Sequence, residues 1–231
     1  MEQELTSVGK CLFCNQKYSQ SEIGKHLAKH LSKMEKEDKQ KATKSYHHVI
    51  VEAAEMFLHI LVDSNAKMKV IDNYLRNIWL DCCGHLSNFG HKNFKVSMSH
   101  TIADVFAPKV KIYHDYDYGS TTRVQLKSAK SYALHLKESL ILLSRNEPLK
   151  IMCLTCKKQP AVYLCSVCIY DDNAFFCGAC SLQHAKECSD FDDYAKMDVV
   201  NSPRMGVCGY EGGSIDKERD GAYCNKSNVQ K

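Results

Sequence analysis

Apolar side chains recur at intervals of three and four residues in three stretches of the chain. Ile23, Leu27, Leu31 and Met34 form the first row and predict an amphipathic helix. Ser19 and Glu22 have the spacing of a capping box at its start. The helix is expected to run into KMEKEDKQKATK (33–44), as an extension or a charged linker. A second row covers Tyr46 to Val62 and a third Met68 to Leu80, through Ile71, Tyr74, Leu75, Ile78 and Trp79. Both predict core-facing helices joined near Ser64-Asn65, with Trp79 in the core. From 109 to 128 the period changes to two, with Val110 and Ile112 on one arm and Val124 and Leu126 on the other, around YGST (118–121). That pattern predicts a hairpin. Ser139–Leu143 fits another strand, ended by Asn146-Glu147-Pro148, and the Gly-rich, charged tail after Gly209 is expected to be poorly ordered. Helices and strands in this order predict an α+β fold.

Composition narrows the class. With 231 residues, 44% hydrophobic and 25% charged, the chain can bury a core of ordinary size. No apolar run approaches the roughly 20 residues that span a bilayer, and the start, Met1-Glu2-Gln3-Glu4, is acidic where an export signal is basic. The expectation is a cytoplasmic protein with no membrane partner, in which 13 cysteines stay reduced and metal is their natural sink. Lys and Arg outnumber acids nine to six over residues 1–48 and ten to five over 91–150, but not over 151–231, at nine to eleven. Contact with nucleic acid is therefore expected upstream of residue 151.

Two cysteine patterns carry the chemistry. Cys153-x-x-Cys156, Cys165-x-x-Cys168 and Cys177-x-x-Cys180 are followed by His184 and Cys188, each after three further residues. Eight ligands suffice for two tetrahedral zinc ions, since a two-residue gap lets both thiolates of a pair face one ion. Saturation by protein ligands points to structural rather than catalytic zinc. An iron–sulfur cluster takes similar spacings and stays open. The order of pairs resembles the cross-braced treble-clef modules of MYND, ZZ and B-box fingers. That likeness implies Cys153, Cys156, Cys177 and Cys180 on one ion, and Cys165, Cys168, His184 and Cys188 on the other. Cys208 is an alternative to Cys188. Adjacent Cys82 and Cys83 are expected to be buried thiols at a helix stop beside Gly84, because neighbouring cysteines do not readily chelate one zinc.

The second pattern is Cys11, Cys14, His26 and His30, a two-Cys, two-His finger with eleven residues between Cys14 and His26, one fewer than usual. Three zinc ions are thus expected. If the finger docks like its relatives, Ser19, Glu22 and Lys25 face bases in a major groove. Lys29, Lys33, Lys109, Lys111 and Arg123 would add phosphate contacts.

The segments LRNIWLDCCGHLSNF (75–89), SHTIADVFAPKVKIYHDYDYGSTTRVQL (99–126), LLSRNEP (142–148) and VVNSPRMGVCGY (199–210) are similar to the plasmid pRiA4b ORF-3-like family, the insertion-element passenger TnpR-family proteins. The resemblance covers about residues 67–212 and implies a small α+β domain and DNA-related work for a mobile element. Tyr116-Asp117-Tyr118-Gly119 matches the family's aromatic-Asp-aromatic-Gly run, while Ser120, Thr121 and Thr122 stand where it carries an acid and an aromatic.

The expected organisation is a finger and charged linker (1–45), an α+β domain (46–150), a two-zinc module (151–212) and a flexible tail (213–231). The expected function is a non-enzymatic zinc-binding adaptor or regulator whose partner is nucleic acid, favoured as DNA. Two alternatives stand beside it: a protein-interaction module using the treble-clef unit, and a metal-dependent nuclease using His114, Asp115 and Asp117.

Overall fold

In a computed structural model of the protein, residues 7–92, 94–107, 110–171 and 174–215 are described. The fold is α+β. Among the described residues the chain divides into two compact units, one of 7–75 with 85–147, the other of 76–84 with 148–215.

Among the described residues the first unit holds a nine-stranded antiparallel sheet and three helices. Its strands are β1 (Val8–Cys11), β2 (Lys17–Ser19), β3 (Lys44–Ala53), β4 (Met56–Asp63), β5 (Ser87–Gly90), β6 (Lys95–Val96), β7 (Lys111–Tyr116), β8 (Thr122–Leu134) and β9 (Leu140–Asn146). Their spatial order is β2-β1-β9-β4-β3-β8-β7-β5-β6. The finger's strands are part of this sheet, because β1 pairs with β9 from Gly9↔Asn146 to Cys11↔Ser144. Helix α1 (Gln20–Glu37) follows at once. Its apolar row of Ile23, Leu27 and Leu31 packs on Tyr46, Phe57, Leu61, Tyr132, Leu134 and Leu143 of the sheet. Ser19 is the N-cap, but its side chain accepts no backbone hydrogen bond; its hydroxyl instead donates to Glu22 Oε2 at 2.6 Å. That bond, with the Ser19 backbone N–H, holds the Glu22 carboxyl below its ordinary pKa.

The row from Tyr46 to Val62, predicted as a helix, is instead the hairpin β3–β4. β4 lies inside the sheet and is buried at every position. A strand covered on both faces has no polar alternation, so its apolar run reads like a buried helix. The other patterned elements are present. The Met68–Leu80 row forms α2 (Met68–Leu75), continued by the π-helical turn Arg76–Leu80. β7 and β8 pair as the hairpin, and β9 is the strand expected near Ser139–Leu143. A short α3 (Ile102–Val105) has a complete capping box between Thr101 and Asp104.

The second unit holds a three-stranded sheet, β11 (Phe175–Phe176), β10 (Tyr163–Cys165) and β12 (Lys196–Asp198), with α4 (Gly178–Glu187). Its apolar clusters are small: Phe176 and Phe191 around Cys165 and Ala195, then Leu164, Ala161 and Val199. Residues 201–215 run along the Arg76–Leu80 turn. Ser202 Oγ donates to the Trp79 carbonyl at 2.6 Å and Ser214 N to that of Asn77 at 2.7 Å. Trp79 is fully buried, as expected. The tail from 216 onward lies outside the described residues.

Candidate metal centres

The finger residues converge. Cys11 ends β1, Cys14 closes the following turn, and His26 and His30 stand one turn apart on α1. Asn15 N donates to the Cys11 carbonyl at 2.8 Å, and Asn15 takes the left-handed φ of 62° that a tight turn between two ligands requires. Cys14 Sγ lies 3.2 Å from His26 Nε2, which lies 3.1 Å from His30 Nε2. Tyr18 stacks on His26 and Phe13 on His30, fixing both rings. Burial, helped by the charges of His30 and Lys29, pushes the His26 pKa down, which favours the neutral imidazole that ligates metal.

The C-terminal cysteines form two further groups, divided as the treble-clef likeness implies: Cys153, Cys156, Cys177 and Cys180, and Cys165, Cys168, His184 and Cys188. Within each group, the finger's included, the ligand atoms lie within 4.8 Å of one another. Helix α4 serves both sites. Cys177 is its N-cap and Cys180 lies in its first turn, while His184 is in its last turn and Cys188 is its C-cap. Cys156 and Cys177 sulfurs are 3.9 Å apart, as are those of Cys168 and Cys188. For tetrahedral zinc with Zn–S bonds of about 2.3 Å the sulfurs should sit about 3.8 Å apart.

Electrostatics of these groups are those of crowded thiols. Backbone N–H groups of Lys158 and Gln159 pull Cys156 down to about 6. The neighbouring Cys177 thiol pushes Cys180 up to about 12, and burial together with Cys165 and Cys188 does the same to Cys168. Four such donors cannot all be anionic without a cation among them. Each group supplies four donors, the complement of a closed structural site.

The Cys208 alternative is set aside, and one sequence expectation, for Cys82 and Cys83, is corrected. Cys208 does not join Cys165, Cys168 and His184, where Cys188 completes the set; it lies instead beside Cys83, with sulfurs 3.7 Å apart. Cys82 and Cys83 are not buried thiols, for Cys82 is half-buried and Cys83 exposed. Sequence spacing gave no hint of this grouping, because Cys83 and Cys208 are 125 residues apart.

The basic positions separate into two kinds. Lys25, Lys29 and Lys33 are exposed along α1, opposite its buried row, and Lys111 is exposed on β7. Lys33 makes a long ion pair with Glu37, at 3.8 Å. Arg123 is committed, donating through Nε and Nη2 to both oxygens of Asp115 at 2.6 and 2.8 Å. Lys109 lies outside the described residues. Beside α1 a groove of about 790 Å³ is lined by Lys25, His48, Glu52, His59, Lys127 and Lys130. His48 Nε2 and His59 Nδ1 are 2.8 Å apart within it. Burial lowers these two imidazoles to about 4 and about 3, so both are neutral at pH 7.

His114, Asp115 and Asp117 do not converge. His114 is wholly buried with its Nε2 2.8 Å from Asp72 Oδ1, Asp115 holds Arg123, and Asp117 Oδ1 accepts from Gly119 N at 3.0 Å in a left-handed turn.

Neither a protein-family model nor a curated protein matches the sequence. Among solved structures, the chain is similar to a protein of unknown function, MM3350 from Methanosarcina mazei Go1, at 16% identity and a TM-score of 0.36, over 43% of this chain and 67% of that one. No helix among the described residues is long and apolar enough to cross a membrane.

Proposed function

We propose that the protein is a non-enzymatic, zinc-stabilised adaptor of a reducing compartment that binds nucleic acid through α1. The observation that carries this reading is the row of Lys25, Lys29 and Lys33, exposed at four-residue intervals on a helix fixed at one end by a metal group and along its other face by the sheet. A rigid row of cations matches a phosphate backbone and involves little ordering of long side chains from a mobile support. Zinc suits the ligand groups because they are thiolates and imidazoles in fours. The dispersal of His114, Asp115 and Asp117 among separate partners gives the nuclease alternative no support.

The test is a mobility-shift titration with duplex DNA, single-stranded DNA and RNA across a range of salt. Three phosphate contacts give a slope of log affinity against log salt of about −3 on duplex DNA. The triple variant Lys25→Glu, Lys29→Glu, Lys33→Glu should lose that binding while keeping its zinc. No complex with any of the three at low salt, or an unchanged slope in the variant, refutes the proposal.

The protein-interaction reading has one observation in its favour: Leu182 on α4 and Tyr194 in the Phe191–Ala195 turn are 67% and 66% exposed. If Leu182→Glu with Tyr194→Glu abolished function while nucleic-acid binding persisted, that reading would take precedence.

A further inference from the structure

Cys82, Cys83 and Cys208 gather in the second unit, apart from the three groups above. Cys82 and Cys83 follow the Arg76–Leu80 turn, and Cys208 stands in the segment that runs back along it. Although adjacent cysteines seldom share one ion, here the sulfurs are 3.8 Å (Cys82–Cys83) and 3.7 Å (Cys83–Cys208) apart. A disulfide requires about 2.05 Å. The observed separations are those of sulfurs on one tetrahedral zinc, about 3.8 Å, and they match the 3.9 Å found in both C-terminal groups.

The backbone repeats the same device. In two of the ligand pairs described above, the residue after the second cysteine takes a left-handed φ, Asn15 at 62° and Lys157 at 55°. Gly84 after Cys83 and Gly209 after Cys208 do likewise, at 79° and 64°. Cys208 is itself at φ 54°, a conformation that costs a side-chain-bearing residue energy and persists only where its surroundings hold it.

Charge supplies a third argument. Arg204 is wholly buried and donates from Nη2 to Cys82 Sγ at 3.6 Å. A fixed cation donating to this sulfur is the kind of partner that a metal-bound thiolate takes.

We infer that Cys82, Cys83 and Cys208 hold a fourth zinc ion. The site differs from the other three in exposure. Each of those has a buried cysteine, whereas here Cys83 and Cys208 are exposed and Cys82 is half-buried. It is therefore the site that exchanges metal first. The inference is independent of nucleic-acid binding.

Elemental analysis of the full-length protein purified with zinc should give four ions per chain, and three in Cys83→Ser and in Cys208→Ser. In competition with a chelator the wild type should release one ion in a fast phase, absent from both variants. Should the serine variants fail to fold, alkylation of the wild type decides: Cys82, Cys83 and Cys208 should resist modification until the first ion leaves and then react together. A wild type with three zinc ions, four ions retained in both serine variants, alkylation of these cysteines in the loaded protein, or a disulfide among them would each overturn the inference.

Discussion

Removing one ligand from the C-terminal module should unfold that module and leave the nine-stranded sheet intact. The perturbation is Cys177→Ser for one site or Cys165→Ser for the other. Apolar burial in this part of the chain rests on few large side chains, chiefly Phe176, Phe191, Leu164 and Val199. At roughly 2 kcal/mol each they contribute about 8 kcal/mol. A structural zinc ion in a finger peptide is worth about 10–16 kcal/mol. The metal therefore outweighs the core, and ordering the intervening backbone costs about 1–2 kcal/mol per residue against both. Because α4 carries ligands for both sites, loss of either ion should release both. Hydrogen exchange read by mass spectrometry is the assay. Peptides within 153–198 should exchange at close to unfolded rates in either variant, while peptides within 44–63 and 122–146 keep wild-type protection. Retained protection in 153–198 would refute the reasoning that metal holds this module, and loss of protection throughout would refute the separate stability of the sheet.

Two further predictions concern buried polar pairs of the first unit. Asp72 is fully buried, and although burial opposes its charge, hydrogen bonds from His114, Lys69 and Ser87 hold its carboxyl far below the usual range. Asp72→Ala leaves His114 Nε2 buried without its acceptor and should cost about 3–5 kcal/mol, seen as a lower denaturant midpoint; a change under 1 kcal/mol would contradict the role assigned to this pair. His48 and His59 titrate in the unfolded chain near 6.5 but in the folded one only near 4 and 3. The unfolded state thus takes up protons first. Their stabilisation is complete above about pH 6.5 and declines as pH falls towards 4, by roughly 3 kcal/mol for His48. Denaturant unfolding between pH 7.5 and 5 should show the wild type losing more stability than a His48→Leu, His59→Leu variant, and parallel curves would disprove the assignment.

What could be read from the chain depended on whether the signal was local. α1 was legible from Ile23, Leu27 and Leu31, and the β7–β8 hairpin from its alternation around Gly119. The finger and the C-terminal ligand groups were legible because their spacings are short. β3 and β4 were not. Strand β4 is buried on both faces, and the turn between them is Ala54-Glu55, with Ala54 at φ 47° where glycine or asparagine would have announced it. The gathering of Cys82 and Cys83 with Cys208 was hidden for a different reason, since only the return of residues 201–215 along the Arg76–Leu80 turn brings them together. Likewise nothing near Gly9 reveals that β1 will pair with a strand as distant as β9.

That pairing sets a timetable for synthesis. All four finger ligands emerge by His30, yet the strand that receives β1 is complete only at Asn146, after the 116 residues from Leu31 to Asn146. At roughly 5–20 residues per second the interval is about 6–23 s. Throughout it the nascent chain can capture its first ion and wind the start of α1, while Ile23, Leu27 and Leu31 wait for the sheet that will cover them. On the zinc reading proposed above, supply of the ion during translation, rather than after release, becomes the condition under which β1 and α1 are protected from misassembly.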